Sequence, residues 1–371
     1  FSWQTTTQDS SVAPEKRQIL MASGDYPDMF LLIPWVDQFN PVDVEKLAQQ
    51  GVALPLNDLI KQYAPDIQKV IDTNPDYKAM VTSPDGKIYG LPQLAETLHI
   101  QYPSKLWINT DWLKKLNLQM PKTTADMTKV LQAFKNGDPN GDGKADEIPL
   151  SGDSHDTLIP FFMNAFIYDP QNPDKGIQST TVIDKGAFTQ NPAALAQEGN
   201  NSGSVLLGSA SALHPYIFVS PGAKDGRDKQ YDAVPPLTGP DGANFATYAF
   251  GSTPGATFLL TNKASKNDQV AAIKMVNYLF TNEGQLDGNF GPEGQGWSAP
   301  AAGDQALDPA DKPLFKNLQL SQDAANAVQW GALSTYNQNE KFRGAQVEPT
   351  DIYDPSGYER RLFQATQLYK G

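Results

Sequence analysis

The chain has 371 residues, a formal net charge of −13 and no cysteine. That length is enough for two or three domains. The missing cysteine excludes disulfides, thiol catalysis and zinc or iron–sulfur sites built on Cys, and acidity without a Lys/Arg cluster argues against nucleic acid and anionic membranes as partners.

Alternation predicts a strand over Phe1–Thr7, followed by a weak helix over Pro14–Met21. The short apolar run Met29–Ile33, bounded by turn residues, suits a strand buried on both faces. Helical periodicity follows over Val42–Gln50, Leu56–Tyr63 and Ile67–Ile71, and then a short strand over Ile88–Leu91. This alternation of β and α predicts an α/β layer. The pattern restarts at Leu98 with a strand-like "HIQYPSKLWIN" and a helix over Trp112–Leu116, capped by Thr110 or Asp111. Thr123 and Asp126 form a capping-box pattern, and Met127, Val130, Leu131 and Phe134 then share one helix face.

"DPNGDGKADE" comes next. Asp138, Asn140 and Asp142 alternate, and Gly143 stands sixth, where a Ca²⁺ loop of the EF-hand type turns sharply. Lys144, seventh, would give a backbone carbonyl; Asp146 is ninth. The twelfth position is Pro149, so Glu147 at position ten must supply the last carboxylate. An all-oxygen donor set favours Ca²⁺ over Zn²⁺. No second helix follows directly, because Ile148–Gly152 is expected to be extended. The ion is expected to be structural, tying a helix end to a strand.

Residues 169–203 are expected to be loop, Ser204–Ala210 a buried strand and Tyr231–Gly242 an extended stretch that turns. Phe258–Leu260 is a strand. Ser265 with Asp268 caps a helix through Val270, Ile273, Val276 and Phe280 that ends near Gly284. The remainder is expected to be helical with proline breaks. No run of 18 apolar residues is present, so no membrane-spanning helix is expected.

The segments "SGDYPDMFLL", "KIYGLPQ", "LWINTDWLKKLNLQMPKTTADMTKVLQAF", "DPNGDGKADEIP", "YDAVPPLTGPDG" and "FLLTNKASKNDQVAAIKMVNYLFTNEGQ" occur in this order. Together they resemble the extracellular solute-binding proteins (family 1) of carbohydrate ABC importers, in particular the calcium-containing branch of the alginate-binding proteins and lipoproteins. Maltose-binding protein is a more distant likeness. The resemblance implies a two-lobed periplasmic-binding-protein-like α/β fold, each lobe a sheet flanked by helices, with a hinge of two or three crossovers. The lobes are expected over 1–97 with 256–302, and over 98–255 with 303–371. The resemblance also implies an oligosaccharide ligand in the inter-lobe cleft, capture by hinge closure and delivery to a membrane permease. The chain is expected to be a monomer outside the cytoplasm, periplasmic or lipid-anchored, with the anchor not in this chain. Such relatives usually carry a further βα unit before the point where Phe1 stands, and a strand and long helix where 166–186 are short.

Ligands of open α/β sheets bind beyond strand ends. With the resemblance, that rule selects Trp35 and Asp37 after the first strand, Gln93 after Ile88–Leu91, Tyr216 beside His214, and Trp297 in "GPEGQGWSAP". Aromatic faces stack on pyranose C–H faces, while carboxylates and amides bond vicinal hydroxyls. Each tryptophan also has core packing as its alternative. Two other functions compete. A peptide or small-solute binder acting with a membrane sensor would want strand edges. A glycan-active enzyme would need a carboxylate pair, and no local motif fixes one. Ser151, His155 and Asp156 lie close in sequence, but a catalytic triad is assembled in space.

Overall fold

The computed structural model describes residues 2–5, 7–144, 146–152, 158–168, 181–184, 187–190, 207–219, 222–249, 255–318, 320–333, 335–336, 338–354 and 357–370. The fold is mixed α/β. Two compact units divide the chain, Phe1–Thr97 with Phe250–Val347, and Leu98–Ala249 with Glu348–Gly371. The chain therefore crosses between them three times.

In the first unit the central strand is Phe258–Leu260. It runs antiparallel to Met29–Leu31 on one side and to Gly90–Leu91 on the other. Successive side chains of a strand point to opposite faces. Phe258 and Leu260 accordingly enter a core with Leu56, Ile60, Ile67, Ile71, Ile273 and Val276. Leu259 joins Phe30, Phe39 and Val44 on the other face. A strand covered on both faces needs an unbroken apolar run, which is what "FLL" supplies. Each such side chain contributes about 1.5–3 kcal/mol on burial.

The covering helices start on prolines that lack an N–H to satisfy: Pro41–Gln49, Pro65–Thr73 and Pro75–Val81. Asn40 and Asn74 cap two of them by accepting from Asp43 N and Tyr77 N. A second small sheet of this unit has Phe315–Asn317 between Trp297–Ser298 and Gln346–Val347.

In the second unit Leu106–Asn109 is the middle strand, antiparallel to Ser209–Ser211 and to Tyr231–Val234. The helix Thr124–Asn136 packs Met127, Val130 and Phe134 into its core, and its Thr123–Asp126 capping box is formed. The final helix, Tyr358–Gln367, adds Leu362 and Ala365 to the same core.

Several expectations are corrected. Residues 2–5 are exposed and form no strand, because alternation without a pairing partner does not make one. "HIQYPSKLWIN" is a short helix, Leu98–Gln101, and then the strand. The next helix is capped by Asn109, which accepts from Asp111 N and Trp112 N. Much of 169–203 lies outside the described residues, but Thr181–Asp184 and Ala187–Gln190 pair as antiparallel strands within it. The strand expected over Ser204–Ala210 is Ser209–Ser211, with 204–206 outside the described residues. The helix expected to end near Gly284 ends at Leu279; Thr281 then caps Asn282–Phe290 by accepting from Gly284 N. Residues 303–347 pack into the first unit rather than with the second. Phe315 and Phe342 form a cluster there with Leu286 and Phe290, and strand pairing rather than helix dominates that part.

Candidate functional site

In the first unit Trp35 stands in the turn after Met29–Leu31, where Ile33 O accepts from Val36 N and Asp37 N. Its side chain is exposed, at 61%. An indole held this far into solvent on a turn fixed by two hydrogen bonds is available to stack on a ligand. Asp37, two residues on, is buried instead. Arg17 Nε donates to its Oδ2 at 2.8 Å and Nη2 to its Oδ1 at 3.1 Å. The same guanidinium donates to Gln38 O and lies 4.1 Å from the Phe39 ring centroid. The geometry is a bidentate ion pair that pins the Ala13–Ser23 helix to the turn. Gln93 is half-buried and donates to Ala332 O at 3.3 Å. Trp297 packs against Leu286, Phe290, Phe315 and Phe342. Its indole N–H is buried and has no hydrogen-bond partner among the described residues.

In the second unit Tyr216 lies on the 3-10 turn Pro215–Ile217. Its ring faces the Arg361 guanidinium at 5.8 Å, and the same guanidinium is 5.1 Å from the Tyr353 ring. Tyr216 thus packs against the buried Arg361, which also donates to Asp228 O and Tyr231 O.

The His214 ring lies 6.3 Å from the Tyr216 ring, beside a buried cluster of titratable side chains. Lys105 Nζ donates to His99 O and Tyr102 O, and burial pulls its pKa down to about 7. His99 Nδ1 lies 3.3 Å from Glu359 Oε2. Burial, reinforced by His99 and Lys105 and opposed by Glu359, lowers His214 to about 4.

A surface that sequence reasoning missed lies on the same unit. Phe166, Tyr168, Phe245 and Tyr248 are all exposed. Tyr168 meets Phe245 edge-on at 6.2 Å between centroids, and Tyr102 meets Tyr248 at 5.5 Å. Three chain segments bring these rings together. Phe245 N donates to Asn164 O, and Ala249 N to Gln101 O. Asn164 Nδ2, fully buried, donates to Thr247 Oγ1 at 2.8 Å and to Pro160 O at 2.6 Å. Gly239 lets the segment approach so closely, since a Cβ there would stand 1.7 Å from Ala165 O. The available signal was "FFMNAFIY" and "NFATY", where Phe166 and Tyr168 are two apart and Phe245 and Tyr248 three apart, runs too short to establish either a strand or a helix period.

The acidic loop is organised by its own main chain. Asp138 Oδ1 accepts from Gly141 N and Asp142 N, and its Oδ2 from Gly143 N at 3.0 Å. Asn140 and Asp142 side chains accept from Asp142 N and Lys144 N. Gly143 has φ 75°, the left-handed conformation its position requires. Glu147 is buried, and both its carboxylate oxygens lack a hydrogen-bond partner among the described residues. A buried carboxylate in that state needs a positive partner. Among the described residues no three His, Cys, Asp or Glu side chains already converge as a metal cluster. The donor chemistry and the orphaned Glu147 nevertheless fit a hard cation. The loop's far end is joined to the sheet by bridges Ile148–Leu207 and Ser151–Ala210, and Ser209 Oγ donates to Pro149 O.

A family model described as bacterial extracellular solute-binding protein matches residues 2–286. The chain belongs to this family. The fructooligosaccharide ABC transporter substrate-binding protein FusA of Streptococcus pneumoniae serotype 4 (strain ATCC BAA-334 / TIGR4) is 33% identical over 313 residues, 76% of this chain and 55% of FusA. This solute-binding chain thus spans about half the length of that relative. The structure of FusA in complex with kestose matches with a TM-score of 0.62 at 26% identity, over 96% of this chain and 74% of that one. Another FusA structure is of an EF-hand mutant in complex with fructo-nystose. The polygalacturonan/rhamnogalacturonan-binding protein YtcQ of Bacillus subtilis (strain 168) is 29% identical over 164 residues, 44% of this chain and 30% of YtcQ. The alginate-binding protein AlgQ2, in a structure without calcium ion, shares the fold with a TM-score of 0.58 at 21% identity, over 96% of this chain and 72% of that one.

In this solute-binding protein the five expected ligand residues therefore divide. Trp35 offers an exposed platform and Gln93 a half-buried amide. Asp37 is an internal ion-pair partner, Trp297 is largely a core residue, and Tyr216 a support for Arg361. Of the Ser151, His155, Asp156 trio, His155 and Asp156 lie outside the described residues.

Proposed function

We propose that this chain is the extracytoplasmic substrate-binding component of an ABC importer, capturing an oligosaccharide and passing it to a membrane permease carried on separate chains. The exposed, hydrogen-bond-anchored rings Phe166, Tyr168, Phe245 and Tyr248 carry the reading. Flat aromatic faces held in water suit the C–H faces of sugar rings. Trp35 supplies a further platform on the first unit and Gln93 an amide for hydroxyls. The family and the FusA likeness support the transport role rather than catalysis. Closure about the three chain crossings, a monomeric state and attachment at the cell surface or in the periplasm belong to the same proposal.

Calcium belongs to it as well. Asp138, Asn140 and Asp142 side chains, the Lys144 carbonyl, Asp146 and Glu147 would hold the ion, which supplies charge neutralisation and a cross-link rather than ligand contact.

Thermal melting with excess Ca²⁺ against a glycan panel, with short peptides as controls, tests the function. A glycan at 100 times its Kd should add about 2.7 kcal/mol and raise Tm by a few degrees. A shift with peptides alone would overturn the oligosaccharide reading.

A further inference from the structure

We infer that the ligand is a neutral oligosaccharide, and that the aromatic face of the second unit selects it against uronate or sulfated glycans. This rests on the oligosaccharide reading and adds the charge class of the substrate. Among the described residues the face is built from three segments, 98–105, 158–168 and 243–249. The sequence contains no Lys, Arg or His between His155 and Lys175, and none between Lys229 and Lys263. The second and third segments therefore carry no cation at all. The first has two basic side chains, Lys105 and His99, and both are committed inward. Lys105 is 0% exposed with its Nζ on the carbonyls of His99 and Tyr102. The His99 ring is 3.3 Å from the buried Glu359 carboxylate.

Among the described residues, the polar groups seen to anchor the face include the Asn164 amide, the Thr247 hydroxyl and main-chain N–H and C=O groups, all neutral. Such a surface stacks on a sugar ring, but its described residues offer no partner for a sugar carboxylate. A carboxylate brought out of water onto it would lose hydration with no compensating charge. The net charge of −13 adds a repulsive field for a polyanion. FusA and YtcQ, which by name bind a fructooligosaccharide and galacturonans respectively, mark the two alternatives within the family.

The test is calorimetric titration of the calcium-loaded chain with two panels of tri- and tetrasaccharides. One is neutral (kestose, nystose, maltotetraose, cellotetraose, mannotetraose); the other consists of galacturonate, mannuronate and guluronate oligomers. The expected result is a neutral binder at least about tenfold tighter than any uronate. Its Kd should change less than about twofold between 0.05 and 0.5 M NaCl, because no ion pair is there to be screened. Phe245→Ala and Tyr248→Ala, both at partly exposed positions, should each weaken that binding about tenfold while lowering Tm by only a few degrees, the cost of one edge-on ring contact. Tighter binding of a uronate would overturn the inference and leave the oligosaccharide reading standing. Neutral binding untouched by either variant would overturn the assignment to this face. No heat from either panel would overturn the oligosaccharide reading itself, and the inference with it.

Discussion

Asp37 illustrates how a residue's partner decides its role. Its place after a strand, next to Trp35, is legible in the sequence and suggests a sugar contact. Arg17, twenty positions earlier on a helix with little amphipathic signal, is not legible as its partner. With both side chains buried, Asp37→Asn should cost about 3 kcal/mol, because Arg17 then keeps only the more distant Asp43 carboxylate, at 3.9 Å, to balance its buried charge. Urea unfolding should show the loss as a lower midpoint, while affinity for a bound glycan stays within about twofold. A large loss of affinity with unchanged stability would return Asp37 to the ligand site. His214 makes a second prediction. Its imidazole takes up a proton near pH 6.5 when unfolded but only near 4 when folded. Between these values the unfolded chain binds more protons, so stability is full above about 6.5 and falls as pH falls towards 4. The wild type should lose up to about 3 kcal/mol relative to His214→Gln across that window. Parallel stability curves for the two proteins would contradict the burial of this ring.

At the scale of elements, end signals were legible wherever the chemistry is local. The Thr123–Asp126 box and the Ser265 cap are formed at the residues that predict them. "FNPVD" and "TNPDY" carry the same Asn-Pro start, and both begin helices, although only the first lies beside an obvious apolar period. The aromatic face was not legible because its rings come as two short pairs, two and three residues apart, that share no period. They are collected by tertiary hydrogen bonds from three segments up to 150 residues apart, from Leu98 to Ala249. Gly239 is the tightest of these approaches. Gly239→Ala would drive a methyl into the Ala165 carbonyl, so the 236–249 segment must move outward. Overpacking of this kind costs about 1–3 kcal/mol. The variant should be less stable and bind glycan more weakly than Phe245→Ala alone, since it displaces Phe245 and Tyr248 together. Wild-type affinity in a folded Gly239→Ala protein would show that the rings do not depend on this contact.

At the scale of the molecule, the two units have separate cores. The apolar cluster around Trp107, Phe134 and Val234 belongs wholly to the second, and those around Phe258 and Leu259 to the first. The restart of the pattern at Leu98 coincides with the boundary between the two units, while the two-lobed fold itself was what the family resemblance implied. The placement of 303–347 was not legible, because strands as short as Phe315–Asn317 and Gln346–Val347 carry too few residues to show a period. The acidic loop lies wholly in the second unit and is bridged to its Ser209–Ser211 strand region. Chelation should therefore act on that unit alone. In calorimetry, EDTA should split the melting profile or broaden its low-temperature side, moving the second unit's transition down while the first unit's stays in place, since separate cores need not unfold as one. Glu147→Gln should reproduce the lowered transition in Ca²⁺ and remove the response to EDTA. A Glu147→Gln profile that still drops on chelation would detach the ion from this carboxylate. A single transition that shifts as a whole would mean that the two units unfold together, and the cation would then stabilise the entire chain rather than one half of it.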